Sequence, residues 1–408
     1  MIKNWFKNIG PGPLVAAAFI GPGTVTLCTV AGVNFGFALL WAMVLSIIAT
    51  VILQEMSARL GIISQKGLSE IIRTEIKNPI FKVLAIILIL SAIVIGNAAY
   101  EAGNISGGVL GLEAVFGHNA LDLGDFSLNY FSLMIGVIAF ILLYIGNYRV
   151  LEKALVSLVI LMSIAFLITA IMTKPDLGEI FKGVFTLEFP DESIFTIIGL
   201  IGTTVVPYNL FLHAALVKEK WHKESDLKYA RKDTIVAVVL GGLVSMCIMI
   251  SAAAIQAQDI NNVADLAKGL EPLFGSFSKY FLAIGLFAAG ITSAITAPLA
   301  AAYVATGCLG WSSNMKTKKF RAVWMFILFV GVLSSSSGIK SIEIIKFAQV
   351  ANGLLLPVIA GFLIWIVNKT SVLGKYKNNL KQNIFGIIIL AITIFLGLKS
   401  ISKVFELI

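Results

Sequence analysis

Two short stretches hold the polar chemistry of this chain: Gly21-Pro22-Gly23-Thr24, with Thr26 two residues on, and Val206-Pro207-Tyr208-Asn209. Each lies inside a long apolar run, and each contains a proline, which removes a backbone donor and clashes with the preceding turn of a helix. A helix interrupted there restarts after the proline, and the restarted turn offers free N–H groups at the positive end of its dipole. Thr24 and Thr26 add hydroxyls to the first restart, and Tyr208 and Asn209 add a phenol and an amide to the second. Donors without formal charge suit a small oxyanion or carboxylate that must also be released. The expected cargo contacts are Gly21, Gly23, Thr24, Thr26, Tyr208, Asn209 and, from a later apolar run, Gln349, with Pro22 and Pro207 making the breaks. Each has a structural alternative: the threonines as helix caps, Tyr208 as filler, and Asn209 and Gln349 as hydrogen-bonded ties between helices.

Two ionisable groups complete the set. Glu101 falls well inside an apolar run, flanked by Asn97, Tyr100 and Asn104 at helical spacing. An acid at that depth is a functional candidate by default, here for proton or cation coupling. His213, about a turn and a half past the second break, is the other candidate for a proton pathway; a lone histidine on an apolar face also serves as a plain core residue. No carboxylate stands in either break, so no resident metal site and no cofactor are expected, and the coupling ion is H+ or Na+.

The elements that must position these groups are membrane helices. Of 408 residues, 58% are hydrophobic and 13% charged, against about 25% charged in an ordinary soluble domain. Apolar runs long enough to cross a bilayer occur at 10–32, 36–58, 83–106, 128–147, 152–173, 193–217, 234–256, 276–306, 320–337, 343–367 and 384–404. The net charge of +9 follows topology and gives no reason to expect a nucleic-acid partner: 23 of the 31 lysines and arginines fall in alternate loops and at one end of the chain, and the opposite loops are acidic. The positive-inside rule then puts the N-terminus in the cytoplasm and, after eleven spans, the C-terminus outside, with the plasma (inner) membrane as the expected location. No cleavable leader fits the basic start, which runs into retained apolar segments. Cys28, Cys247 and Cys308 show no metal spacing and read as small core residues. The Ser334–Ser337 run reads as loop at an outer helix end, and Pro357 as an ordinary kink.

The breaks fall in the first and sixth spans. A copy displaced by five spans runs upside down, which is the pattern of inverted repeats of five helices with a binding site where the two broken helices meet near the bilayer midplane. The expected organisation is therefore all-α: a first repeat over 1–173, a second over 174–367, and an additional C-terminal helix over 368–408, acting as a monomer. There is no phosphate loop, nucleotide motif or soluble domain, and no enzyme is expected.

At this point "LQEMSARLGIISQKGLSEIIR", "VVPYNLFLHAALV" and "AQVANGLLLP" resemble the Nramp family of proton-coupled divalent metal transporters, over nearly the whole chain. The resemblance implies the LeuT-type inverted repeat. It also implies a metal site that this chain has changed: the family's Asp-Pro-Gly-Asn reads Gly21-Pro22-Gly23-Thr24, its Met-Pro-His reads Val206-Pro207-Tyr208, and of an acidic pair three residues apart Glu101 stays while Ala98 replaces its partner. Asn209, His213 and Gln349 match. With the carboxylate and the thioether gone, a transition metal loses its ligands, and a dication in a low-dielectric cavity lacks its counter-charge. The expected function is a secondary transporter for a small oxyanion such as bicarbonate, or a small polar solute. The alternatives are a divalent cation carrier, for Mg2+ or Mn2+, and a non-transporting sensor or scaffold.

Overall fold

Long apolar sequence with few breakers folds as helix, because in a bilayer every backbone polar group must find its partner within the segment. The computed structural model describes residues 20–117, 120–122, 127–146, 149–255 and 260–404. Among them, eight helices are long and apolar enough to cross a membrane, counting the interrupted Ile194–Lys220 as one. The main helices are α1 (Pro22–Phe35), α2 (Leu40–Ser64), α3 (Pro79–Phe116), α4 (Tyr130–Ile145), α5 (Arg149–Met172), α6 (Leu177–Phe185), α7 (Ile194–Thr204), α8 (Pro207–Lys220), α9 (Leu227–Ala253), α10 (Ser278–Leu309), α11 (Lys318–Ser335), α12 (Ser341–Val367) and α13 (Leu380–Val404). The part of the first span upstream of the break lies outside the described residues, apart from Ile20.

These helices follow the expected eleven spans, with the sixth divided into α7 and α8. The third differs most. It was expected over 83–106, but α3 runs for 38 residues, about 57 Å at the usual rise. Asn78 starts it by accepting the N–H groups of Ile80 and Phe81, and Gly117, at φ 82°, stops it. A two-stranded hairpin, Ala120–Asp122 with Ser127–Asn129, follows it. The hairpin was not expected; its strands are three residues each, too short for a periodicity to register.

The long α3 forms the spine, with α10, α12 and α11 packed along it. A Cβ built on Gly290 of α10 would lie 2.7 Å from the Cα of Gly108 on α3, so these backbones approach as close as small residues permit, the usual basis of helix association in lipid. Pro22, at the start of α1, packs on Gly107 of α3, and α1 lies along α9. The expected inverted repeats comprise the first five spans and the next five. The expected repeat boundaries at 173/174 and 367/368 fall just past the ends of α5 and α12. The eleventh helix, α13, packs on the outer side of α12. Large apolar side chains along α5 and α13 stay exposed, including Ile160, Leu161, Phe385 and Ile388, as a lipid-facing surface requires.

The serine run is a correction. Ser334 and Ser335 continue α11, and Ser335 is buried, bonded to Ser132 of α4 at 2.8 Å and to Ser106 of α3 at 3.3 Å. A hydroxyl that finds partners on two neighbouring helices is stable at a depth where a loop is not. Glu55 is a second carboxylate inside a span, near the end of α2. It pairs with Arg59 at 3.2 Å and with Arg231 of α9 at 2.8 Å. Arg59, 1% exposed, also donates to the carbonyl of Tyr376 and to Oδ1 of Asn378, tying α2 to the segment before α13. Cys28 and Cys308 are buried, and all three cysteines are free thiols.

Candidate functional site

Both breaks have the geometry their prolines require. α1 begins with Pro22 at its first position and Gly21 as an extended N-cap (φ −110°, ψ −172°) whose N-cap position supplies no side-chain bond. α7 ends at Thr204, the chain turns through Val205 and Val206, and α8 restarts at Pro207, again with no side-chain cap. The first intrahelical turns close with Val25 N–H to Gly21 O and Asn209 N–H to Val206 O. That leaves N–H groups of the first turns facing the break, at the positive ends of two helix dipoles.

Three contacts bring the broken segments together. The hydroxyls of Thr24 and Thr203 are bonded at 2.8 Å across 179 residues of sequence, joining the start of α1 to the end of α7. Gln349 of α12 lies directly against Gly23; a Cβ there would sit 2.5 Å from the Gln349 Cδ. The backbone of the same Gln349 seats on Gly202 of α7, which has no side chain to hold it off. The crossing is thus clamped by α12, and Gln349 belongs to it. Tyr208 is fully buried and packs edge-on to Tyr100 of α3, with ring centroids 5.5 Å apart.

Several buried polar atoms around these segments have no protein partner: Thr26 Oγ1, both amide atoms of Asn209, Gln349 Oε1 and Ser293 Oγ. Buried polar atoms are nearly always paired, so a group of orphans beside two helix ends is the unusual polar feature of the crossing. Ser293, on α10, faces the first break; a Cβ on Gly21 would be 3.1 Å from its Oγ. The expected contacts Gly21, Gly23, Thr24 and Gln349 therefore cluster, and Thr26, Tyr208 and Asn209 stand within a turn of the same two restarts.

The proton candidates are both fully buried but keep separate company. Glu101 takes a 3.4 Å bond from Asn104 on its own helix, leaves Oε1 unpaired, and packs against Gly331 of α11. His213 Nδ1 is 2.7 Å from Oε1 of Gln54 on α2, with Nε2 unpaired. Among the described residues no bond joins the two into a relay. Nor do three or more His, Cys, Asp or Glu side chains among them converge where a metal ion could sit.

The residues that sequence reasoning passed over are Thr203, Ser293 and Gln54. Thr203 adjoins the second break, and its proximity to Pro207 was the available signal. Ser293 sits in a run of small residues, and Gln54 in a stretch quoted for other features; neither carries a local mark of its role.

The comparisons agree with this architecture. The family model described as "Natural resistance-associated macrophage protein-like" matches residues 12–403. A curated relative, the divalent metal cation transporter MntH of Yersinia pestis (strain Pestoides F), is 26% identical over 403 residues, spanning 95% of this chain and 93% of the relative. Among solved structures, the manganese transporter of Eremococcus coleocola superposes with a TM-score of 0.79 at 20% identity, covering 98% of this chain and 87% of that one. MhsT in complex with L-phenylalanine follows at a TM-score of 0.60 and 15% identity, covering 95% and 98%.

Proposed function

This chain belongs to the Nramp family, and we propose from the chemistry of its crossing which cargo it moves. Members of the family are transporters and not enzymes, and the chain is a multi-pass secondary transporter with an ion substrate. The proposed cargo is a small oxyanion of bicarbonate size, taken up at the crossing of the two breaks and passed by alternating access. One observation supports this reading: the polar groups there are hydroxyls, amides and helix N-termini, with no carboxylate, thioether or imidazole in either break. Neutral donors stabilise an anion without trapping it. A dication at the same place would leave an uncompensated charge, at a cost of several kcal/mol.

The second reading is a divalent cation, Mg2+ or Mn2+. The relatives favour it over the oxyanion, since those quoted above are named for divalent metal cations and for manganese. On this reading the ligands are oxygens of the crossing with retained water. In both readings Glu101 and His213 are the proposed coupling groups for H+ or Na+, and the proposed setting is the plasma membrane with the N-terminus inside. Purified protein in liposomes decides between them. Saturable bicarbonate uptake that Mn2+ and Mg2+ do not compete with is the result expected of the oxyanion reading. Saturable Mn2+ or Mg2+ uptake, indifferent to bicarbonate, overturns it and leaves the cation.

A further inference from the structure

The nine-residue helix α6 divides its surface three ways. Ile180, Gly183 and Val184 face the protein, with Gly183 seated on the backbone of Phe37 between α1 and α2. Glu179 and Lys182 form a polar edge. Leu177, Phe181 and Phe185, at successive steps of four, form a third face that is left open among the described residues; they are 67%, 64% and 75% exposed. The two phenylalanine rings stack nearly parallel, with centroids 6.4 Å apart, so the row is one continuous apolar strip. A helix with an inward face needs no second apolar face unless something other than water meets it.

What meets it is indicated by the helix before it. The lipid-facing side of α5 runs through Ile160, Leu161, Ile164, Leu167, Ile168 and Ile171, all exposed, and only residues 173–176 separate its end from α6. Asp176 then caps α6, accepting the N–H groups of Gly178 and Glu179, and fixes the turn at the end of the span. We propose that α6 lies in the headgroup–acyl boundary of the bilayer, with Leu177, Phe181 and Phe185 inserted among phospholipid acyl chains as a continuation of the belt on α5. Aromatic side chains on an amphipathic helix are the usual anchors at that depth. The polar edge, where Lys182 approaches Glu188 at 3.8 Å, then faces water. Because α6 grips the turn between α1 and α2 and leads within eight residues into α7, the anchor holds the membrane surface against the entry to the second broken span.

The test uses the full-length protein in phosphatidylcholine/phosphatidylglycerol liposomes, with Cys28, Cys247 and Cys308 replaced by Ala. Single Phe181→Cys, Phe185→Cys and Glu179→Cys variants carry a nitroxide label. The collision rate with oxygen, which concentrates in lipid, is compared with that of a water-soluble nickel chelate. The proposal predicts an oxygen-to-nickel ratio severalfold higher at 181 and 185 than at 179. Equal ratios at the three positions, or nickel access dominant at 181 and 185, put the row in water and overturn it. Dipolar broadening between labels at 185, lost on dilution with unlabelled protein, assigns the row to a second copy of the chain and also overturns it. Exposed positions are labelled, and a thermal unfolding profile matching the parent protein shows that each variant is folded.

Discussion

Gly21→Asp puts a carboxylate at the first break, and the two cargo readings predict opposite signs for it. The backbone tolerates the change: Gly21 is extended, at φ −110° and ψ −172°, and its position is an N-cap that lacks a side-chain acceptor, where Asp gains about a few tenths of a kcal/mol over Gly. The new Cβ would stand 3.1 Å from Ser293 Oγ, so the serine shifts by a few tenths of an ångström and its hydroxyl, unpaired in the native protein, can donate to the carboxylate. Folding should be unharmed. Taking a cargo charge about 5 Å from the carboxylate and an effective dielectric near 20, the interaction is about 3 kcal/mol, or roughly 200-fold in affinity. For a monovalent oxyanion this is repulsion, and bicarbonate uptake in liposomes should fall by two orders of magnitude at subsaturating concentration. For a dication the same charge attracts with about twice the gross energy, less the desolvation of both ions, and Mn2+ or Mg2+ uptake should rise. The readout is initial uptake of each ion by parent and variant proteins matched for incorporation and for thermal stability. Unchanged uptake of all three ions would show that Gly21 is remote from the cargo path, and the reasoning from the breaks would fail with it.

Two further substitutions examine the packing that holds the crossing. Gly202→Ala drives a methyl into the backbone of Gln349 and toward the N–H of Gly353, which cannot yield as a side chain tip can; it should cost at least the ~1–3 kcal/mol of an overpacked core and lower the detergent melting temperature. Gly361→Ala, on the same helix α12 but with open space at its Cβ, should be neutral or slightly stabilising, by up to ~1 kcal/mol of helix propensity. Equal effects from the two would remove the case for a tight α7–α12 seat. Arg59→Ala takes away one of the two cations that share the Glu55 carboxylate, the other being Arg231, and the donors held by Tyr376 and Asn378. Glu55 keeps Arg231 at 2.8 Å, so the cost is that of the lost Arg59 bonds, about 1–3 kcal/mol, read as loss of monodisperse protein on heating, and a shift of less than a degree would show that the network does not hold α2 to the α13 side.

What was legible in the sequence was what local rules determine. Span positions follow from apolar run length, and both breaks follow from a proline, which cannot accept a preceding helical turn but is favoured at a helix's first position, so Pro22 and Pro207 mark helix starts to the residue. Tertiary contacts left no such mark. Ser293 became a neighbour of Gly21 because α10 crosses there, and Ser335 was misread as loop because three hydroxyls from α3, α4 and α11 pair where a single helix would leave each alone. The cargo is harder still, for a physical reason. The backbone path of this chain is shared with the manganese transporter and with MhsT, solved in complex with L-phenylalanine, so a fold of this kind does not by itself select what is bound. That selection rests on a few side chains whose sign can be reversed without moving a helix. In this chain the position that faces Ser293 is a glycine, so a carboxylate introduced there by Gly21→Asp meets a hydroxyl donor beside two helix N-termini, and the sign of its effect on uptake separates an anionic cargo from a cationic one.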